Sequence, residues 1–202
     1  VIDKYPLVLI DQNIQIIQQT SVGTDNALAV SQGLSYISSQ GHKNVGILLP
    51  TIDNSVLQER CDAVFQYSAI TGFPLKQELW LKDLGHSSEI VSEESIDRIA
   101  LHLTEHPEIT ALFAFQYPLA VAADQAARRI GRTTGKDLSI LCFDSPLPLF
   151  GRPQFTHLHQ DEAAIGEKAV ELLLELISHP VQAPQNVKIP AKLVEGESFF
   201  TL

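Results

Sequence analysis

Between Ile109 and Pro146 the chain reads ITALFAFQYPLAVAADQAARRIGRTTGKDLSILCFDSP, two strand-sized apolar runs on either side of one amphipathic helix. ALFAF (111–115) is short, apolar and aromatic. Pro118 suits a first helical turn, where a missing N–H costs nothing. Leu119, Ala123, Ala126, Ala127 and Ile130 then recur at helical spacing, and Gly131 supplies a stop. LSILCF (138–143) is apolar nearly throughout, as a strand covered on both faces of a parallel sheet should be. A strand–helix–strand unit of this kind predicts a right-handed crossover in a parallel sheet. Ligands of open α/β sheets bind beyond the strands' carboxyl ends, where Gln116, Tyr117 and Asp144 fall.

The same alternation extends in both directions. Strands are expected at LVLI (7–10), VGILL (45–49), ELWLKD (78–83) and FTHLHQ (155–160). Helices are expected around 30–37, 57–69, 96–103 and 165–177, with Gly41, Gly72 and Pro107 ending the first three. Residues 12–21 read as a polar, glutamine-rich connection, followed by VGTDN (22–26). VKIPAKLV (187–194) reads as a strand pair interrupted by Pro190, at a sheet edge. Residues 44–146 form a complete βαβαβαβ block, whereas one strand and one helix before residue 44 cannot close a half-domain. With no Met, initiator included, the sequence is expected to be a segment of a longer protein.

At 202 residues with 45% apolar and 19% charged content, the chain can bury one large core or two small ones. A formal net charge of −10 argues against this segment gripping nucleic-acid phosphates itself. Cys61 and Cys142 lie in apolar contexts and read as buried thiols in a reducing, cytoplasmic setting. No run is long enough for a membrane span.

The sharpest catalytic-looking string is HLTEH (102–106), an H-x-x-E-H match, but it lies at a fraying helix end before Pro107 and reads better as a solvated face. His157 and His159 share a strand face, and two ligands do not make a metal site. No nucleophile elbow, P-loop or dinucleotide fingerprint occurs, so no enzyme, catalytic residue, metal or cofactor is expected. Polar residues at strand ends and helix starts are the better candidates: Asp25, Asn54, Ser55, Arg60, Gln116, Tyr117, Asp144 and Gln160. A carboxylate accepting paired hydroxyls, with an arginine fork donating, is the chemistry of sugar recognition. Taken alone, helix capping is the better account of Asp25 and Asn54; a surface ion pair is the alternative for Arg60, and an ordinary turn for Gln116 and Tyr117.

Several strings resemble the effector-binding domain of the LacI/GalR class of transcriptional regulators. YPLVLIDQ (5–12), SVGTDN (21–26) and QGHKNVGILLP (40–50) are similar to its first strand, its "DN" segment and the strand after "GH". ERCDAVFQYSAITG (59–72), ITALFAFQYPLA (109–120), KDLSILCFDSP (136–146) and PQFTHLHQDEAAIGEKAVELLLELI (153–177) follow in the family's order, with IPAKLVEGES (189–198) at the end. The resemblance implies a periplasmic-binding-protein-like type I fold, two parallel-sheet α/β subdomains joined by three crossovers. Residues 44–159 and 180–202 would form the C-terminal subdomain, and residues 1–43 with 160–179 an incomplete N-terminal one. It also implies a homodimer that binds a sugar or sugar derivative in the inter-subdomain cleft and meets DNA only through a separate N-terminal headpiece. Asp25, Arg60, Asp144 and Gln160 would touch the ligand, with 53–56 lining the cleft. The loop LPLF (147–150) and helix 119–130 would serve the dimer, or the loop would be a lid buried on its own subunit. A CFDSP ending also occurs in regulators with a GntR-type winged-helix headpiece, so the headpiece type stays open. The sequence departs from the family where Gln116–Tyr117 replace Asn-Asp, Ala63 a Gly, and Gly196 the late Arg. A periplasmic sugar carrier of a transporter would share the fold and is the alternative.

Overall fold

The computed structural model describes residues 5–11, 19–51, 54–85, 91–179 and 183–202. Two parallel sheets organise them. β1 (Val8–Ile10), β2 (Thr20–Thr24) and β7 (Asn186–Ile189) form a three-stranded sheet in the order β1-β2-β7. β3 (Val45–Leu48), β4 (Ala111–Ala114), β5 (Ser139–Phe143), β6 (Thr156–His159) and β8 (Lys192–Val194) form a five-stranded sheet in that order, with β8 antiparallel at its edge.

Strand side chains alternate between the two faces of the larger sheet, and each face acquires its own core. Phe113, Leu141, Phe143 and Leu158 point toward helices α1 (Asn26–Ser39) and α2 (Ser55–Thr71). Leu112, Ala114, Ile140 and Cys142 point toward α3 (Glu93–Glu105) and α4 (Tyr117–Arg129). The near-continuous apolar composition of β4 and β5 follows from this double cover. α5 (Glu162–Ser178) instead lays Ile165, Ala169 and Leu172 over Val22 of the smaller sheet. The glycine stops operate as expected: Gly72 and Gly131 adopt φ values of 73° and 77° at the ends of α2 and α4. Cys61 and Cys142 are both buried free thiols, and burial pushes Cys61 up to about 11.

The structure differs from the expectation in four places. Thr20–Thr24 is a fully buried strand, not part of a polar connection, because it is hydrogen-bonded to parallel partners on both sides. The Gln-rich residues 12–18 lie outside the described residues. ELWLKD gives a single 3-10 turn at Gln77–Leu79 and one bridge, Leu81 to Leu48, instead of a strand. α1, expected in the N-terminal subdomain, packs on the larger sheet: its Gly33 lies so close to Leu141, Phe113 and Leu158 that a Cβ would fall 2.9–3.3 Å from them. β7, expected in the C-terminal subdomain, pairs with β2 in the smaller sheet, so Pro190 separates strands of two different sheets. The crossovers therefore fall between β2 and α1, between β6 and α5, and between β7 and β8.

Candidate functional site

Two aspartates occupy equivalent positions at the carboxyl ends of the two sheets. Asp11 follows β1 with φ 50°, and Asp144 follows β5 with φ 56°. The left-handed region is uncommon outside glycine, and Asp is among the few side chains that tolerate it. Each aspartate donates its N–H to the adjacent parallel strand, Asp11 to Val22 O at 3.0 Å and Asp144 to Leu158 O at 3.1 Å. Each carboxylate then accepts the N–H two residues further along that strand, from Thr24 at 3.2 Å and from Gln160 at 3.1 Å. The left-handed turn thus ties each carboxylate to the strand end where a crossover begins, Asp11 at the first and Asp144 at the second.

Gln160 links the two ends. Its Nε2 donates to Asp144 Oδ2 at 2.6 Å, while its Oε1 accepts from Thr24 Oγ1 at 2.8 Å and Arg60 Nη2 at 3.1 Å. Arg60, only 4% exposed, also donates through Nη1 to Phe115 O at 2.7 Å and through Nε to Asn26 Oδ1 at 2.9 Å. Its guanidinium lies 3.4 Å from the centroid of the Phe143 ring, a stacked cation–π arrangement. Burial lowers its pKa to about 10, against the raising influence of Asp144, Asp11 and Glu59, so it is a cation at neutral pH.

Arg60, Phe143, Asp144 and Gln160 line a cleft of about 420 Å³ with Asp11, Asn54, Phe115, Gln116 and Tyr117. Six of the eight expected residues therefore meet in one cleft: Asn54, Arg60, Gln116, Tyr117, Asp144 and Gln160. Asn54 also caps α2, accepting from Leu57 N at 3.0 Å. The other two stand apart. Asp25 caps α1 through Leu28 N at 3.0 Å and borders a separate depression with Glu59, Asp62 and Lys188. Ser55 borders a water-sized cavity of about 20 Å³ beside Gly23 and Asn26. Among the described residues Arg60 makes no surface ion pair, and its fork donates to Asn26, Phe115 and Gln160 inside the protein. Asp11, Thr24 and Asn26 are not among the eight expected residues, although a carboxylate directly after the apolar run LVLI is a usable signal for Asp11.

Two of the histidine candidates, His102 and His157, are buried and engaged by backbone carbonyls. His102 Nε2 meets Leu79 O at 3.0 Å, so that nitrogen is engaged by the backbone, and its ring lies against His106. His157 is fully buried, with Nδ1 at 2.9 Å from Phe155 O. Among the described residues no group of three or more His, Cys, Asp or Glu side chains converges to hold a metal. No described helix is long and apolar enough to cross a membrane.

The apolar face of α4 is covered by its own subunit, with Leu119, Ala123, Ala126 and Ala127 all buried. The loop after Asp144 is not a buried lid: Leu149 and Phe150 are 95% and 92% exposed.

Residues 34–199 match the family model of the periplasmic binding protein-like domain. The chain is 28% identical over 205 residues to the HTH-type transcriptional regulator MalR of Streptomyces coelicolor, covering 96% of this chain and 56% of that protein. It is 26% identical over 198 residues to the ribose operon repressor of Haemophilus influenzae, covering 98% of this chain and 58% of that one. The chain thus spans little more than half the length of these curated relatives. Among solved structures, a LacI family transcriptional regulator from Enterococcus faecium with bound ribose superposes with a TM-score of 0.78 at 19% identity, over 98% of this chain and 72% of that one. A LacI-family regulatory protein from Chloroflexus aggregans gives 0.81 at 23%, over 98% and 70%. At these identities the likeness concerns the fold.

Proposed function

The chain belongs to the periplasmic binding protein-like domain family, and from that premise we propose that it is the effector-binding and dimerisation domain of a cytoplasmic bacterial transcriptional regulator, without enzymatic activity. One observation carries the reading: Asp11, Asp144, Gln160 and Arg60 converge from both sheets on one cleft across the crossovers. A sugar-like ligand there would present hydroxyl donors to carboxylates and an apolar ring face to Tyr117. A group bound by both sheets stabilises whichever subdomain closure brings them together, in proportion to its differential affinity for the open and closed states. The curated relatives with regulator names favour this over a transporter's sugar carrier. DNA contact would be made by a separate headpiece, consistent with the chain's net charge of −10.

Asp144→Asn keeps the side chain's shape and its tolerance of the left-handed backbone while removing the charge. Sugars that raise the wild-type melting temperature should bind the variant at least about tenfold more weakly, since hydrogen bonds to a charged group are worth about 1.5–3 kcal/mol. Calorimetry giving equal affinities for the two proteins would remove Asp144 from the site. A full panel of sugars without any thermal shift would sink the sugar reading.

The exposed loop Leu147–Phe150 is the proposed contact with a second copy. Large apolar side chains at 95% and 92% exposure are costly to leave in water, and apolar anchors of this kind dominate interfaces. Replacing Leu149 and Phe150 together by Asp should shift the chain to monomer in sedimentation equilibrium. An association constant unchanged from the parent's would exclude the loop.

A further inference from the structure

Outside the cleft, a second set of side chains ties the remaining crossover to Arg60. Lys188, the residue before the last of β7, donates to Glu59 at 3.2 Å (Oε1) and 2.9 Å (Oε2). Glu59 Oε2 accepts from Asn26 Nδ2 at 3.1 Å, and Asn26 Oδ1 accepts from Arg60 Nε at 2.9 Å. The chemistry of its partners fixes how the Asn26 amide faces. A guanidinium can only donate and a carboxylate can only accept, so one end of the buried amide must face each. Turning it over would set its NH₂ against the arginine and its oxygen against the carboxylate. The neighbouring residues Glu59 and Arg60 on α2 thereby reach all three crossovers: Arg60 through Asn26 and Gln160, Glu59 through Asn26 and Lys188.

We propose that Glu59 and Lys188 are positioning residues for Arg60, holding the Asn26 amide so that movement of the third crossover is felt at the cleft's guanidinium. On the reading of the cleft as an effector site, this linkage carries subdomain closure to the ligand and back. By linkage the coupling is reciprocal: a ligand that shifts Arg60 also loads the Lys188–Glu59 pair.

The test needs no ligand, so it stands apart from the sugar screen that decides the effector reading. Hydrogen exchange of the Arg60 Nε–H is followed by nitrogen-15 NMR in the 202-residue chain. Lys188→Met should speed that exchange about tenfold by easing local opening, while amides of the buried strands β4 and β5 keep their rates. Lys188→Arg should restore the parental rate. Glu59→Ala, which removes the carboxylate to which both Lys188 and Asn26 donate, should exceed the Met variant. Because Lys188 lies on the surface, its variants remain informative even if Glu59→Ala fails to fold. Exchange at Arg60 within twofold of the parent in Lys188→Met overturns the proposal. So does an equal acceleration at β4 and β5, which would mark a general loss of stability.

Discussion

Arg60→Ala is expected to cost roughly 3–5 kcal/mol of folding stability, the usual range when one member of a buried charged network is deleted. The reason lies in what stays behind. Phe115 O and Asn26 Oδ1 lose the guanidinium and Gln160 Oε1 loses one of its two donors, and an orphaned buried polar group costs about 1–3 kcal/mol. The Phe143 ring also loses its 3.4 Å stacking partner, and a cavity opens under it. Against this, removing the residue relieves the desolvation of a buried cation, which is why the separate losses do not simply add. For a chain of this size the midpoint should fall by roughly 10 °C. Arg60→Lys keeps the charge but has no planar fork, so it should recover only part of the loss. A urea titration giving less than about 1 kcal/mol for Arg60→Ala would mean that the network is slack.

The second large effect is expected at Gly196. A Cβ there would meet the backbone carbonyl carbon of Phe155, with the carbonyl oxygens of Phe155 and Pro153 each at 2.6 Å. These are backbone atoms of segments already pinned by Gly196 N to Thr156 Oγ1 and Glu197 N to Pro153 O, both at 3.0 Å. No rotamer change relieves such a clash, so Gly196→Ala should cost about 3 kcal/mol or more, at or beyond the upper end of ordinary overpacking. Gly166 provides the control. It sits within α5 with nothing within 4 Å of an added Cβ, so Gly166→Ala should stabilise by about 0.5–1 kcal/mol. Similar thermal midpoints for the two variants would contradict the packing of 195–197 against 153–156. The same geometry accounts for a departure seen in the sequence: the late Arg of the resembling family has no room on this backbone path.

Much of the architecture was legible residue by residue. β4, α4 and β5 stand where the apolar runs and helical spacing of 109–143 put them, and Gly72 and Gly131 end their helices. Asp144 was legible as a carboxylate beyond a buried strand. Two kinds of feature were not. TSVGT carries no apolar alternation, and it became a strand only because β1 and β7 flank it on both sides. ELWLKD had the composition of a strand, but only Leu81 found a partner on β3. Strand formation is decided by the neighbour as much as by the segment.

The candidate site divides in the same way. Arg60 and Asn54 could be picked as residue types at a helix start, but the alternatives of capping, surface ion pair or ligand contact could not be separated. Folding gave Asn54 both a cap and a place in the cleft, sent Asp25 to a cap beside a different depression, and consumed the Arg60 fork internally. The matched left-handed turns at Asp11 and Asp144 emerged only in three dimensions, because each depends on a parallel neighbour distant in the chain.

Local elements, the doubly covered parallel core and the placement of polar groups at strand ends could all be read from the chain, because side-chain period and burial are written into neighbouring residues. Which sheet α1 and β7 join, where the three crossovers run and which polar groups meet became visible only in the folded chain. Those outcomes depend on pairings such as Ser21 with Asn186, 165 residues apart, for which the chain carries no local signature.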